Sequence, residues 1–266
     1  MADNPRTSPG LPVALTIAGS DSCGGAGLQA DLKTFTVLGV YGATAVTAVT
    51  AQNTTGVKHA QVLDPLVVER QIDAVAGDFH VDATKTGMLA SAAVIEVVAA
   101  AVKRHGLAPL VVDPVMVARS GDRLIDEDAI KTLTGKLLPL ATLITPNRAE
   151  AARLLGRADP IADVPAAAAA ARELCRRFGC RAAVVKGIRR PTAGGDDEAV
   201  DVFFDGAQAH ELAAPFRDTP NTHGSGCTFA AAITAELARQ RPLAEALATA
   251  KALVSEAIRQ TTDLGQ

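Results

Sequence analysis

The sequence predicts a single α/β domain in which helices cover both faces of a mostly parallel sheet. Short apolar runs rich in β-branched residues alternate with longer helical patterns along most of the chain, which is typical of a doubly wound sheet. Hydrophobic residues make up 48% of the 266 residues and charged residues 21%, which is enough apolar surface for one large core. We expect residues 1–10 to form a flexible lead-in and residues 11–266 to form one domain.

Five apolar runs are predicted to be buried parallel strands, because each ends at a polar or turn-forming residue. These runs cover residues 13–18, 43–50, 110–112, 143–145 and 182–186. Two further β-rich runs, 200–204 and 207–212, flank the dipeptide Asp205-Gly206. An Asp-Gly pair between such runs is a strong hairpin signal, so the sheet is predicted to have an antiparallel edge.

Eight segments with helical patterns separate or follow these strands, and several begin with a polar residue or proline suited to a helix cap. They cover residues 26–38, 65–77, 92–105, 127–138, 148–155, 164–178, 226–239 and 243–260. The βα alternation therefore extends over nearly the whole chain.

Charge and cysteine content exclude several classes of function. A formal net charge of -3 and a pI near 6.0 offer no basic surface for nucleic acid or an anionic membrane, and no 18-residue apolar span occurs. The four cysteines, Cys23, Cys175, Cys180 and Cys227, lack paired C-x-x-C spacing, so no structural zinc site is predicted. Free cysteines favour a reducing, cytoplasmic setting.

The turn Gly224-Ser225-Gly226-Cys227 precedes an Ala-rich helical segment. The backbone N–H groups at the start of a helix lack intrahelical partners, and glycines let a ligand approach the backbone closely. This turn is therefore predicted to hold phosphate charge. Residues 19–24 have the glycine spacing of a P-loop, but Gly25 and Ala26 follow where a lysine and a hydroxyl residue are required.

Six separate segments carry a resemblance to a known family. They are TIAGSDS (16–22), GGAGLQAD (24–31), TAQNT (50–54), KTGML (85–89), DPVM (113–116) and NTHGSGCT (221–228). In this order and spacing they resemble the hydroxymethylpyrimidine/phosphomethylpyrimidine kinases of thiamine biosynthesis, a branch of the ribokinase-like superfamily. The resemblance implies a three-layer αβα fold, ATP with Mg²⁺ as cofactors, and a homodimer. It also implies that 4-amino-5-hydroxymethyl-2-methylpyrimidine is phosphorylated twice.

The resemblance assigns an acceptor pocket. An aminopyrimidine presents a ring nitrogen beside an amino donor, and the side-chain amide of Gln52 can pair with both. Met88 and Val115 are expected to form apolar walls against the ring. Gly19 and Asp31 are expected to border the substrate, Asp31 from the helix after the Gly-rich loop.

The resemblance also assigns the groups around the transferred phosphate. Cys227 replaces the superfamily's aspartate base, and the helix N-terminus is expected to lower the pKa of its thiol. Gly224, Ser225 and Gly226 are expected to stabilise the transferring phosphoryl group. Asp113 is expected to act on Mg²⁺. The nucleotide and its phosphates are assigned to Asn147, Glu150, Lys186 and Thr222.

Three alternatives remain open at this stage. A pyridoxal kinase phosphorylates a similar hydroxymethyl group, but Cys227 and the Gln52 segment argue against this as the main activity. Sugar or nucleoside kinases of the same fold need more polar pockets than Met88 and Val115 offer. A non-catalytic pyrimidine-binding module is disfavoured by the intact turn before residue 228.

Turn signals around residues 117–122 suggest a mobile flap over the substrate.

Overall fold

The computed structural model describes residues 10–116 and 125–260. The predicted lead-in, apart from residue 10, and the predicted flap at residues 117–122 lie outside the described residues. No helix within these two ranges combines the length and apolarity needed to span a membrane.

Within the described residues, the main sheet has eight strands in the order β10-β9-β8-β7-β6-β5-β1-β2, and β3 and β4 form a separate two-stranded antiparallel sheet. The strands are β1 (Val13–Ala18), β2 (Tyr41–Val46), β3 (Ala48–Asn53), β4 (Gly56–Val62), β5 (Ala83–Thr86), β6 (Leu110–Val112), β7 (Leu143–Ile144), β8 (Ala183–Arg190), β9 (Glu198–Phe204) and β10 (Ala209–Pro215). In the main sheet the neighbouring strands β8, β7, β6, β5, β1 and β2 all pair in parallel. Strand β9 is antiparallel to both β8 and β10. The predicted hairpin and antiparallel edge are confirmed.

Two layers of helices cover the sheet. Helices α1, α7 and α8 pack on one face and α2 to α6 on the other. Their bounds are α1 (Gly27–Val37), α2 (Pro65–Asp78), α3 (Ala92–His105), α4 (Glu127–Thr132), α5 (Arg148–Leu154), α6 (Val164–Phe178), α7 (Ser225–Ala238) and α8 (Leu243–Arg259). Strand β6 shows why both faces need cover, because Leu110 and Val112 enter one core and Val111 enters the other.

Local signals explain where several helices begin and end. Asp64 and Ser91 cap α2 and α3 by accepting bonds from backbone N–H groups in the first turn. Asp163 caps α6 in the same way. Gly106 and Gly179 end α3 and α6 in the left-handed conformation that glycine adopts without strain.

The structure corrects two of the predicted elements and adds two strands. The run 43–50 is divided at Thr47, because β2 joins the main sheet while β3 leaves it to pair with β4. Strands β4 and β5 were not predicted. The helix expected over residues 127–138 ends as an α-helix at Thr132 and continues through the wider turn Leu133–Leu137, where Gly135 weakens helix propensity.

Candidate active site

A cavity of about 550 Å³ lies at the carboxyl ends of the parallel strands. Its walls come from the loops after β1, β5, β6 and β7, from β3 and β8, and from the turn before α7. Ligands in open α/β sheets bind at this edge. Of the predicted site residues, all but Asp31 line this cavity: Gly19, Gln52, Met88, Asp113, Val115, Asn147, Glu150, Lys186, Thr222, Gly224, Ser225, Gly226 and Cys227.

The turn before α7 is built by glycine. Gly224 has a φ of 77°, and a Cβ on it would lie 1.8 Å from the carbonyl oxygen of Gly25. The turn and the Gly-rich loop after β1 therefore pack backbone against backbone. The first helical bond of α7 runs from Thr228 N–H to Gly224 O. The N–H groups of Gly226 and Cys227 thus lack intrahelical acceptors, which is the arrangement that binds anions at a helix N-terminus.

Cys227 lies in the first turn of α7 and lines the cavity. Burial raises the pKa of its thiol to about 11, with the Lys85 ammonium acting in the opposite direction. The expectation that the helix N-terminus lowers this pKa was wrong, because desolvation and the carboxylates of Asp31 and Asp113 outweigh the favourable groups.

Asp31 was predicted to border the substrate, but it does not line the cavity. Its carboxylate is fully buried, and both its oxygens accept hydrogen bonds of 2.8 Å from Lys85 Nζ. Thr16 Oγ1 donates to Oδ2 at 2.6 Å. Asp31 projects from α1 towards the sheet, and it is Lys85, at the end of β5, that reaches the cavity. Burial would lower the pKa of Lys85, but the Asp31 carboxylate raises it, so the ammonium stays charged.

A second, largely buried ion pair links Asp113, which follows β6, to Lys186, which lies inside β8 where the pairing with β9 is irregular. Asp113 Oδ1 accepts hydrogen bonds from Lys186 Nζ at 3.0 Å and from Thr145 Oγ1 at 2.9 Å. A Cβ on Gly226 would lie 3.4 Å from Lys186 Nζ and 3.9 Å from Asp113 Oδ2. The pair is therefore packed directly against the start of α7. Burial opposes the charge on Lys186, but the carboxylates of Asp113 and Glu150 raise its pKa.

Asn147 and Glu150 form a capping box at the start of α5. The Asn147 side chain accepts from the N–H groups of Ala149 and Glu150, and the Glu150 carboxylate accepts from Asn147 N–H at 2.9 Å. Burial raises the pKa of Glu150 to about 7, and the Asp113 carboxylate adds to the shift. Both side chains line the cavity while capping the helix, so a local structural role accompanies the predicted one.

The other end of the cavity is more apolar. Met88 packs against the backbone of Gly19, where a Cβ would lie 2.5 Å from the methionine Cε. Gly19 thus leaves room for the Met88 side chain. Val115 is half-buried and lines the same cavity. These two side chains give an apolar surface suited to a flat ring.

Gln52 is held at this end by the Gly-rich loop. Its backbone N–H donates to Ser22 Oγ at 2.8 Å, and that hydroxyl donates to the Gln52 carbonyl at 2.7 Å. The side-chain Oε1 accepts from Thr50 Oγ1 at 3.3 Å. Within the described chain no acceptor is bonded to Nε2, so the amide can pair with a ligand.

Sequence reasoning missed a cluster at the mouth of the cavity. Asp21 Oδ2 lies 2.9 Å from His223 Nε2 and 3.3 Å from Cys23 Sγ, and the sulfur lies 3.8 Å from the same imidazole nitrogen. Asp21 and His223 line the cavity. The signal was the close sequence spacing of Asp21 and Cys23, but His223 is 202 residues from Asp21, and only the fold brings it there.

The cavity also has a second apolar wall that was not predicted. It is formed after β10 and along α8 by Pro215, Phe216, Val254 and Ile258. Lys251 braces this wall, because its Nζ donates to Asp201 Oδ2 at 2.8 Å and to Ala199 O at 2.9 Å. Apolar residues on a helix are usually core, so the sequence offered no signal for this wall.

Comparisons with known proteins identify the family of this chain. The phosphomethylpyrimidine kinase family model matches residues 21–266. The hydroxymethylpyrimidine/phosphomethylpyrimidine kinase of Rhizobium meliloti is 49% identical over 246 residues, which cover 92% of this chain and 90% of that protein. The thiamine biosynthesis bifunctional protein of Geobacter sulfurreducens is 49% identical over 252 residues, covering 95% of this chain but 50% of its own length. The chain thus spans half of that relative.

A solved structure confirms the predicted ribokinase-like fold. The ADP complex of Bacillus subtilis pyridoxal kinase superposes with a TM-score of 0.86 and 38% identity, covering 96% of this chain and 95% of that one. The family model matches nearly the whole sequence, and the Rhizobium meliloti relative is nearly half identical over nine-tenths of both chains. Together these two matches establish the family. The chain belongs to the phosphomethylpyrimidine kinase family.

Proposed function

We propose that this chain transfers the γ-phosphoryl group of ATP to the hydroxymethyl group of 4-amino-5-hydroxymethyl-2-methylpyrimidine, and then phosphorylates the monophosphate. The observation that carries the proposal is that one cavity joins two unlike ends. One end has the helix N-terminus with Cys227, and the other has an amide beside an apolar surface. This combination suits phosphoryl transfer to a small heteroaromatic alcohol.

The acceptor ring is held at the apolar end. We place it between Met88 and Val115, beside Gly19, with the Gln52 amide paired to the ring nitrogen and the exocyclic amino group. The planar amide donates one hydrogen bond and accepts another. A ring without the matching nitrogen and amino group binds poorly, because the polar atoms of the buried amide are then left unpaired.

ATP is placed with its base against the wall that includes Phe216 and its phosphates at the turn of residues 224–227. The related pyridoxal kinase of Bacillus subtilis was solved as an ADP complex, which supports a nucleotide at this edge. Thr222 lines the phosphate end. The Lys186 ammonium lies beside the start of α7, where it offsets phosphate charge.

The donor set near β6 fits Mg²⁺. Asp113 supplies carboxylate oxygens, and among the described residues none donates a hydrogen bond to its Oδ2. Glu150 and Asn147 add oxygen atoms on the same wall. Oxygen ligands are those that Mg²⁺ prefers. When bound, the ion neutralises charge that develops on the phosphates. Lys186 restrains the Asp113 carboxylate by its 3.0 Å hydrogen bond.

Cys227 is proposed as the group that accepts the proton from the acceptor hydroxyl. Only the thiolate can do this, and the raised pKa makes the thiolate scarce at neutral pH. The neighbouring Lys85 ammonium favours the thiolate, and the buried Asp31 carboxylate keeps that ammonium in place. Lys85 is therefore a positioning residue that acts through Cys227.

A comparison of acceptors tests the proposed function. The purified chain is incubated with ATP, Mg²⁺ and one acceptor, which is the hydroxymethylpyrimidine, its monophosphate, pyridoxal or ribose. The products are separated and identified by mass spectrometry. We expect product from both pyrimidines at higher kcat/KM than from pyridoxal, and none from ribose. No product from either pyrimidine overturns the proposal.

Pyridoxal kinase is the second candidate, because the solved Bacillus subtilis enzyme with that name matches with a TM-score of 0.86. The Gln52 amide discriminates between the two. If pyridoxal is the main acceptor, Gln52→Ala will leave the preference for pyridoxal unchanged. If the pyrimidine is the main acceptor, the same substitution will lower its kcat/KM while pyridoxal is affected less.

We also infer a homodimer in a reducing, cytoplasmic setting. All four cysteines are free, which supports the reducing setting. The two-stranded sheet β3-β4 stands apart from the main sheet, and its Val49 side chain is 50% exposed. An isolated hairpin is marginally stable in water, so cover by a second copy explains why this apolar side chain is exposed.

A further inference from the structure

The cluster at the cavity mouth combines three types of metal-binding atom. A carboxylate oxygen of Asp21, the thiol sulfur of Cys23 and an imidazole nitrogen of His223 all lie within 4.8 Å of one another. We propose that these three side chains bind a single zinc-class divalent ion, at a site separate from the predicted Mg²⁺ position at Asp113. Neither the proposed phosphoryl transfer nor the helix N-terminus requires this combination.

The distances agree with a tetrahedral ion. Typical bonds to zinc are about 2.3 Å for sulfur and about 2.0–2.2 Å for nitrogen and oxygen, and at tetrahedral angles these bonds set neighbouring ligands about 3.3–3.6 Å apart. The observed separations are 2.9 Å for Asp21 to His223, 3.3 Å for Asp21 to Cys23 and 3.8 Å for Cys23 to His223. Movements of about 0.5 Å therefore bring all three atoms to coordination distance.

The chemistry of the donors selects the class of ion. Thiolate and imidazole favour Zn²⁺ and similar transition metals, whereas Mg²⁺ and Ca²⁺ favour oxygen ligands alone. Backbone N–H groups also orient the Asp21 carboxylate, from Cys23 at 3.0 Å and from Ala26 at 2.7 Å. Such outer contacts fix a ligand in position before the ion arrives.

The competing interpretation is a hydrogen bond between His223 and Asp21 that ties two loops together, with Cys23 as a bystander. That bond explains two of the three side chains. The local turn at residues 21–23 brings Cys23 to Asp21, but neither contact gives a reason for the exposed Cys23 sulfur to lie 3.8 Å from the His223 imidazole as well. Three protein ligands also leave a fourth position open, as in zinc sites that bind water or a substrate group.

Because Asp21 and His223 line the cavity, an ion on this cluster narrows the entrance used by the acceptor. We therefore expect zinc to inhibit the chain by occupying this cluster. The inhibition rests on the proposed kinase function, whereas binding of the ion does not.

The binding test uses Zn²⁺ alone, titrated by calorimetry into the full chain with Mg²⁺ present in excess. The variants are Cys23→Ser and His223→Asn, and Cys175→Ser is the matched control because Cys175 Sγ lies 3.8 Å from Cys180 Sγ on another part of the chain. We expect one ion per chain, with affinity weakened by more than about tenfold in the first two variants and unchanged in the control.

A spectroscopic readout separates ligand loss from misfolding. Co²⁺ in place of Zn²⁺ gives a thiolate charge-transfer band when cysteine is a ligand, and the far-UV circular dichroism of each variant reports its folding. The band is expected in the unmodified chain and in Cys175→Ser, and its loss is expected in folded Cys23→Ser. The proposal fails if no ion binds, or if binding follows Cys175 instead of Cys23.

The inhibition test is scored apart from binding. Turnover with Zn²⁺ is divided by the turnover of the same variant without it, so that a change in basal rate does not enter. We expect zinc to lower this ratio for the unmodified chain and to have a weaker effect on Cys23→Ser. Equal inhibition of both chains, with binding confirmed, overturns the inhibitory role. No turnover in any chain instead overturns the proposed function.

Discussion

At the scale of single residues, the thiol of Cys227 carries the clearest pH dependence. Its pKa is raised to about 11, so the thiolate fraction increases steadily between pH 7 and 9. We expect kcat/KM for the first phosphorylation to rise by about tenfold per pH unit in this range, because kcat/KM reports ionisation of the free enzyme. The measurement is a pH profile with saturating ATP and Mg²⁺.

Two comparisons make this profile specific to Cys227. The Cys227→Ser variant should be slower and lose the slope, since a hydroxyl does not ionise in this range. Phosphorylation of the monophosphate needs no alcohol deprotonated, so its profile should be flatter. A slope that persists in Cys227→Ser would assign the base to another residue.

The buried pair of Asp31 and Lys85 gives a prediction for stability. In Asp31→Asn the Lys85 ammonium, which is fully buried, loses its countercharge. We expect the free energy of unfolding to fall by about 3–5 kcal/mol, measured by urea denaturation at pH 7. Adding Lys85→Met to this variant should restore a large part of the loss, because the unpaired charge is removed. A loss below about 1 kcal/mol would show that the charge is compensated elsewhere.

The sequence predicted the members of the site better than their roles. The predicted strand end before Asp113 located this residue correctly at the cavity, because the carboxyl ends of parallel strands meet at one edge. Lys186 also lines the cavity, but β8 continues past it to Arg190 instead of ending there as predicted. The burial of Asp31 and the direction in which the pKa of Cys227 is shifted could not be predicted. Both depend on which charges lie together in three dimensions, and Lys85 is 54 residues from Asp31.

At the scale of elements, the turn before α7 depends on glycine. Gly224→Ala would place a Cβ 1.8 Å from Gly25 O at a φ of 77°, so the turn must move away from the Gly-rich loop. We expect a loss of turnover of at least about a hundredfold, since about 1 Å of displacement in a catalytic turn has that effect. ATP binding and turnover are both measured.

Gly77→Ala is the matched control for this substitution. Gly77 lies in α2, where a Cβ meets no atom of the described neighbouring residues within 4 Å. The alanine there should raise the free energy of unfolding by about 0.5–1 kcal/mol and leave turnover unchanged. Equal behaviour of the two variants would show that the close approach at Gly224 does not matter.

Most elements were predictable because their local signals agree with the fold. Helices α3 and α6 have the predicted bounds, and each has a side-chain cap at its start and a left-handed glycine at its end. Strand β5 was missed because Ala83–Thr86 has four residues and includes a buried lysine. A charged residue contradicts the apolar pattern expected of a central strand.

At the scale of the whole molecule, the exposed hairpin β3-β4 gives a prediction about assembly. Val49→Lys places a charge on the proposed interface and should convert the dimer to a monomer, measured by light scattering. Val37→Lys is the matched control, because Val37 is 74% exposed at the C-terminal end of α1. A lysine there interacts favourably with the helix dipole and should not destabilise the helix. A dimer that survives Val49→Lys would place the interface on another surface.

The close approach of Gly224 to Gly25 also constrains how the chain folds during synthesis. The two loops are separated by nearly 200 residues, so their contact has a high contact order and forms late. A nascent chain lacking α7 can form β1 and the neighbouring strands but leaves the apolar surface that α7 covers exposed. The candidate active-site cavity therefore closes only after the ribosome has released α7, and until then the exposed layer is a target for chaperones.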